Sequence, residues 1–173
     1  PVVKPFGRWD VVGVFNWTDR PARRAVDLSR LGLDPNDKYL VWDFWAQEPV
    51  GHRPGEATLE VDVAPTSCRL LAIHRDNSQP RFVSSDRHLA VGMLDVDDVN
   101  GSGTDRRLSG RSSHLVAGAP FEYVFFVPPP LIVTQARFGA GEARVQPLGR
   151  GFYAVSFTAA AAQLNWELVL SQP

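Results

Sequence analysis

The stretch Lys38–Trp45, K-Y-L-V-W-D-F-W, limits what this chain can fold into more than any other. It holds four aromatics in eight residues with no Gly or Pro between them. Aromatic and β-branched side chains fit a pleated surface, so the run reads as a strand. Alternation sends Tyr39, Val41, Asp43 and Trp45 to one face and Leu40, Trp42 and Phe44 to the other. Both faces are mostly apolar, which demands cover on both sides and places the strand centrally between packed layers. Asp43 breaks the pattern. A carboxylate between two aromatics needs a hydrogen-bond partner or a place at the mouth of the sheet, and a bond to a neighbouring turn is expected ahead of a ligand contact.

The rest of the chain repeats this kind of signal. Trp9–Trp17 reads as a core strand closed by Thr18-Asp19-Arg20-Pro21, and Ala25–Leu28 as a short second one. Leu31–Asp37 is a dense turn signal that delivers the chain into Lys38. A polar connection with Pro49, Gly51, Pro54 and Gly55 reads as a loop. In Ala57–Val63 apolar residues alternate strictly with Thr58, Glu60 and Asp62, and Ser67–His74 follows as another strand. Beyond a loop at Asp76–Pro80, Arg81–Ser84, Met93–Val99, Arg107–Leu115, Pro120–Val127, Leu131–Arg137, Glu142–Val145, Gly151–Phe157 and Gln163–Leu170 read as further strands. Asn100–Gly103 reads as an exposed turn, and Ala159–Ala162 is too short to be a helix alone. Short strands joined by turns, with 14 Gly and 14 Pro, predict an all-β antiparallel β-sandwich fold. Two consecutive sandwich subdomains are expected, residues 1–78 and 79–173, with one continuous sandwich as the alternative.

Charge and cysteine content remove several functional classes. Eighteen Lys and Arg against 19 Asp and Glu give a net charge of -1, no electrostatic footprint for nucleic acid or an anionic membrane. The single Cys68 excludes an internal disulfide framework and reads as a buried, inert thiol. No apolar run approaches a membrane span, and none reads as a signal peptide. The sequence starts at Pro1, as an excised fragment would, so the compartment stays open between cytoplasmic and secreted.

Candidate chemistry is sparse. His52, His74, His88 and His114 are scattered, with no pair at metal-ligand spacing. No G-x-S-x-G elbow or phosphate-binding glycine loop is present. From Asp98, the residues Asn100, Ser102 and Gly103 follow a calcium-loop spacing, but Ser109 stands where the bidentate Glu belongs. An ordinary acidic turn is therefore expected, and neither metal nor cofactor. Asn16-Trp17-Thr18 matches a glycosylation sequon, but it falls at the end of an apolar strand. Trp9, Trp17, Trp42, Trp45 and Trp166 could each stack on a sugar ring. Core packing is expected for most of them, and Trp45, beside the Gln47–Pro54 loop, is the one expected at the surface.

Several of these segments together resemble a known family. V-V-G-V-F-N-W-T-D-R-P at 11–21, L-G-L-D-P-N-D-K-Y-L-V-W-D-F-W at 31–45, Gly51 and V-A-P-T-S-C-R-L-L-A-I-H-R at 63–75 are similar to the C-terminal β-sandwich of α-galactosidase-like glycoside hydrolases. The likeness continues through Q-P-R-F-V-S-S-D-R-H-L at 79–89, L-S-G-R-S at 108–112 and A-G-A-P-F-E-Y at 117–123. The resemblance implies a non-catalytic accessory module whose partner is a catalytic (β/α) barrel. That family's two catalytic aspartates lie in the barrel, and no aspartate here inherits their roles. The alternative is a carbohydrate-binding module holding a glycan on Trp45 with Asp43 and His52. An enzyme in its own right would need a convergent acid pair, which the sequence does not display.

Overall fold

A computed structural model describes residues 1–173, the side chain of Ser102 excepted. The fold is all-β and antiparallel, with no α-helix among the described residues. The chain divides into two compact units: Pro1 with Trp9–Asn77, and Val2–Arg8 with Ser78–Pro173. The sequence division at 78/79 left residues 2–8 with the first part; the structure groups them with the second.

After β1 (Val2–Lys4), the first unit is built from β2 (Gly7–Asn16), β3 (Ala22–Asp27), β4 (Lys38–Asp43), β5 (Glu48–Pro54), β6 (Thr58–Val63) and β7 (Ser67–Arg75). One sheet carries the order β2-β7-β4-β5, and β3 pairs with β6 as a two-stranded sheet. The aromatic-rich stretch thus lies inside its sheet, between β7 and β5. Tyr39 and Val41 of β4 pack with Val14, Leu71 and Ile73 against Leu59, Val61 and Val63 of β6. Leu40 and Trp42, on the other face, are each 0% exposed. Each such buried side chain contributes about 1.5–3 kcal/mol relative to exposure. The strand stops at Asp43, two residues before the run of aromatics ends.

Between β3 and β4, Leu28–Leu31 makes a turn of 3-10 helix instead of continuing the strand. The Asp27 carboxylate caps it by accepting from the Ser29 amide at 3.0 Å, and Gly32 at φ 73° ends it. The Tyr39 hydroxyl accepts from the Asp34 amide at 2.8 Å and ties the following turn to β4. The expected loop after Trp45 is a strand, β5, paired with β4 from Lys38↔Pro54 to Asp43↔Glu48. Pro49 and Pro54 hid it: proline cannot donate to a ladder, and β5 is an edge strand, where that loss is tolerated. The register slips between Val41 and Trp42, where Pro49 takes its place in the pairing.

The second unit holds β8 (Arg81–Ser85), β9 (Val96–Ser102), β10 (Arg107–Ser112), β11 (Pro120–Phe126), β12 (Ile132–Phe138), β13 (Gly141–Glu142), β14 (Arg144–Gly149), β15 (Phe152–Thr158) and β16 (Leu164–Ser171). They form two sheets, β13-β12-β16-β10-β9 and β14-β15-β11-β8. The space between them is filled largely by rings. Phe138 stacks on Phe157 with centroids 3.9 Å apart, and Tyr123 meets Phe157 edge-on at 5.1 Å. Trp166 packs at 5.2 Å from Phe125. Its indole Nε1 donates to Ser112 Oγ at 3.1 Å, and the Tyr123 hydroxyl lies 3.0 Å from the same oxygen. One buried serine thus answers two amphipathic rings. Asn100 and Gly101, expected in a turn, belong to β9, whose ladder with β10 runs to Ser102↔Arg107. Ala159–Ala162 forms no helix.

Candidate functional site

Asp43 ends β4 with a relative exposure of 1%. Its Oδ2 accepts from Arg69 Nε at 2.6 Å and its Oδ1 from the Ala46 amide at 2.9 Å. The carboxylate therefore closes the turn after β4 and holds the guanidinium of β7. Gln47, at φ 54°, completes that turn by donating from its side chain to the Phe44 carbonyl. Arg69 Nη2 also stands 3.7 Å from Glu48 Oε1. The guanidinium is thereby fixed between two carboxylates, which is how a partly buried charge is kept without penalty.

Arg69 lines two depressions of the first unit. One, of about 310 Å³, is bounded by Trp45, Ala46, Ser67 and Cys68. The other, of about 540 Å³, opens over Asp43, Glu48, Arg53, Thr58, Glu60 and Asp62. Trp45 is 52% exposed and meets Phe44 edge-on at 4.9 Å. Its exposure agrees with its place beside the turn. Cys68 is a free thiol at partial exposure, not the buried one expected from its apolar run.

Two aromatics missed in the sequence belong to this surface. Trp17 is 79% exposed, against the core position that alternation gave it, and Phe15 is 49% exposed. Their rings lie parallel, 5.2 Å apart at an interplanar angle of 2°. Phe15 pairs with Cys68 across β2 and β7, so Phe15 and Trp45 both border that thiol. Gly13 makes the arrangement possible, because a Cβ there would stand 2.9 Å from the Phe15 ring. The available signal was position: Trp17, like Trp45, follows the last residue of its strand and precedes a turn.

Asn16, between these rings in sequence, is 0% exposed. Its Nδ2 donates to the carbonyls of Arg20, Val63 and Ala64 at 2.8, 3.2 and 3.0 Å. A side chain so engaged is no acceptor for a glycan. His52 sits opposite Leu40 on β5, with Nδ1 2.9 Å from Asp76 Oδ2, and borders neither depression. The structure thus gathers Asp43 and Trp45 around Arg69 and leaves His52 apart.

Asp98 and Asn100 lie on β9, where Asn100 Nδ2 donates to Asp98 Oδ2 at 2.6 Å. The Ser102 side chain falls outside the described residues. Among those described, no group of three or more His, Cys, Asp and Glu is arranged to hold a metal ion. Acids tuned for proton transfer would announce themselves by raised pKa values in a shared cleft. Desolvation does push Asp95 up, and the nearby Ser85 hydroxyl holds that shift back, although no bond of ordinary geometry reaches either carboxyl oxygen. Asp62, in the larger depression, moves the other way because Arg23 donates to it. The two do not make an acid pair.

No curated protein matches this chain. Residues 6–73, which enclose the whole core of the first unit, match the family model of the alpha galactosidase C-terminal beta sandwich domain.

Proposed function

We propose that the chain is a non-catalytic accessory β-sandwich module of a glycoside hydrolase, which supports or orients a catalytic (β/α) barrel. The observation that carries this reading is the family match over residues 6–73, since that domain family is normally joined to an alpha-galactosidase barrel in the same chain. The described residues contain β-sheets and no α-helix, so no such barrel is among them. Phe15, Trp17 and Trp45 supply exposed aromatic area of the kind that a neighbouring domain covers. Two assays test the reading. The chain alone is expected to leave aryl α-galactosides intact, and to raise the melting temperature of an α-galactosidase barrel stripped of its own C-terminal sandwich. Replacing Trp17 and Trp45 together by Gln should abolish the second effect. Turnover by the chain alone would overturn the proposal.

A second reading is favoured by Trp45 alone: a half-exposed indole over an open depression, beside the fixed guanidinium of Arg69, suits a sugar ring. In that reading Asp43 acts by holding Arg69 in place, and His52 would contribute only at the far part of the β4–β5 hairpin. A glycan array of the chain, with a Trp45→Ala control, decides it. Saturable binding lost in the variant supports the sugar site; no binding to any glycan removes it.

A further inference from the structure

The outer face of the sheet β13-β12-β16-β10-β9 in the second unit has features that the accessory role does not use. Strand β16 buries Leu164, Trp166, Leu168 and Leu170 and turns Asn165 and Glu167 outward. Register aligns two polar rows across the sheet. Asp98, Arg111 and Asn165 stand opposite one another, and so do Asn100, Ser109, Glu167 and Arg137. Together they border a concavity of about 520 Å³, with Gly110 in its floor and Gly139 at its rim. That volume falls in the range of small-molecule sites. A register shift between Arg111 and Ser112 interrupts the β9–β10 ladder, the kind of irregularity that bends a strand and curves a sheet.

The lining is chemically balanced. Asp98 and Glu167 offer carboxylates, Arg111 and Arg137 guanidiniums, Asn100 and Asn165 amides, and Ser109 a hydroxyl. The formal charges cancel. An anion would meet the two carboxylates and a cation the two guanidiniums, whereas a neutral ligand meets neither penalty. Donors and acceptors alternate at the spacing of neighbouring strands, which suits a molecule whose every hydroxyl both donates and accepts. Part of the lining is already held. Asn100 donates to Asp98 at 2.6 Å, Arg107 Nη1 lies 2.9 Å from Glu167 Oε2, and Arg111 Nε lies 3.5 Å from Asp97 Oδ2. Asn165 and Arg137 are exposed, and among the described residues their side chains make no hydrogen bond or ion pair, which leaves their donors for a ligand.

We infer that this concave face is a binding site for a neutral polyhydroxylated ligand, a glycan unit held by hydrogen bonds from Asp98, Arg111, Asn165, Glu167 and Arg137. The site lies on the second unit, outside the matched segment, and stands or falls independently of the barrel-supporting role. It is tested by amide chemical-shift titration of the full chain with D-galactose, D-glucose and D-mannose, and with D-galacturonate and D-glucosamine as charged counterparts. At least one neutral sugar is expected to give saturable shifts clustered at residues 98–100, 109–111 and 165–167. Arg111→Met combined with Asn165→Ala, both at exposed positions, is expected to weaken that binding at least about tenfold, the loss of two charge-assisted or amide bonds. Preserved spectral dispersion would show that the variant folds. Shifts absent for all neutral sugars, shifts clustered elsewhere, affinity retained in the folded double variant, or tighter binding of a charged sugar would each overturn the inference.

Discussion

Asn16 spends both of its amide hydrogens on three main-chain carbonyls, and its Oδ1 accepts from Thr18 Oγ1 at 2.8 Å and from Arg24 Nη2 at 3.3 Å. It joins the end of β2 to the segment after β6. Asn16→Ala removes the donors and leaves buried acceptors unanswered, so a loss of about 2–4 kcal/mol is expected in urea denaturation. Expression in a glycosylating host should leave the mass of the chain unchanged at that position. Asp95 makes the opposite case. At 1% exposure its carboxyl is held protonated above its usual range, chiefly by desolvation. Between the ordinary carboxylate value of about 3.9 and the raised native one, the folded chain keeps a proton that the unfolded chain has released, so stability falls as pH rises through that window. Asp95→Asn is therefore expected to stabilise the chain at neutral pH, with the gain shrinking toward zero in acid. Thermal melts at several pH values would check this, and a gain independent of pH would contradict it. Neither role was legible beforehand. A sequon and an aspartate among apolar residues mark where a polar group must find partners, without saying which main-chain groups will be there.

At the scale of elements, β4 was the most legible part of the chain and β5 the least. Eight residues without Gly or Pro announced β4 and its two apolar faces; Pro49, Gly51 and Pro54 suppressed the same signal in its neighbour, although an edge strand accommodates all three. Alternation also fixed the faces of β16 correctly, with Trp166, Leu168 and Leu170 inside. It failed for Trp17 because a period of two does not reveal where a sheet ends. Sequence reasoning recovered Trp45 and Asp43 of the candidate surface, whereas Arg69, Cys68 and Phe15 join them only through pairing between strands distant in sequence. Gly110 belongs to the same class of hidden residue. Opposite Trp166 on β16, a Cβ there would stand 2.2 Å from the indole Cζ2 and 2.4 Å from the Asp98 carbonyl oxygen. Gly110→Ala must displace a buried ring or a neighbouring strand, and a loss of about 1–3 kcal/mol is expected from equilibrium unfolding. A neutral result would show that the sheet yields at this point.

For the molecule as a whole, composition predicts behaviour in solution better than it predicts a site. A pI of about 6.5 brings the net charge close to zero near neutrality, while Phe15, Trp17 and Trp45 remain at the surface. Colloidal repulsion is then weakest where apolar area is on offer. Light scattering of the chain is expected to rise toward that pH and to fall when Trp17→Gln removes the most exposed ring. Scattering that ignores both changes would count against an association driven by this face. The two-unit division was visible as a change of texture after His74, but one detail of it was not. Val2–Arg8 group with the second unit, and Phe6 packs against the cluster that holds Phe82, Tyr123 and Trp166. A ribosome therefore delivers the opening segment of that unit first and the remainder only after residues 9–77 have passed. The first unit can complete its own core while Phe6 still waits for its neighbours to be synthesised. A polypeptide begun at Ser78 would never acquire that ring, so the shorter half of this chain is separable by sequence and the longer half is not.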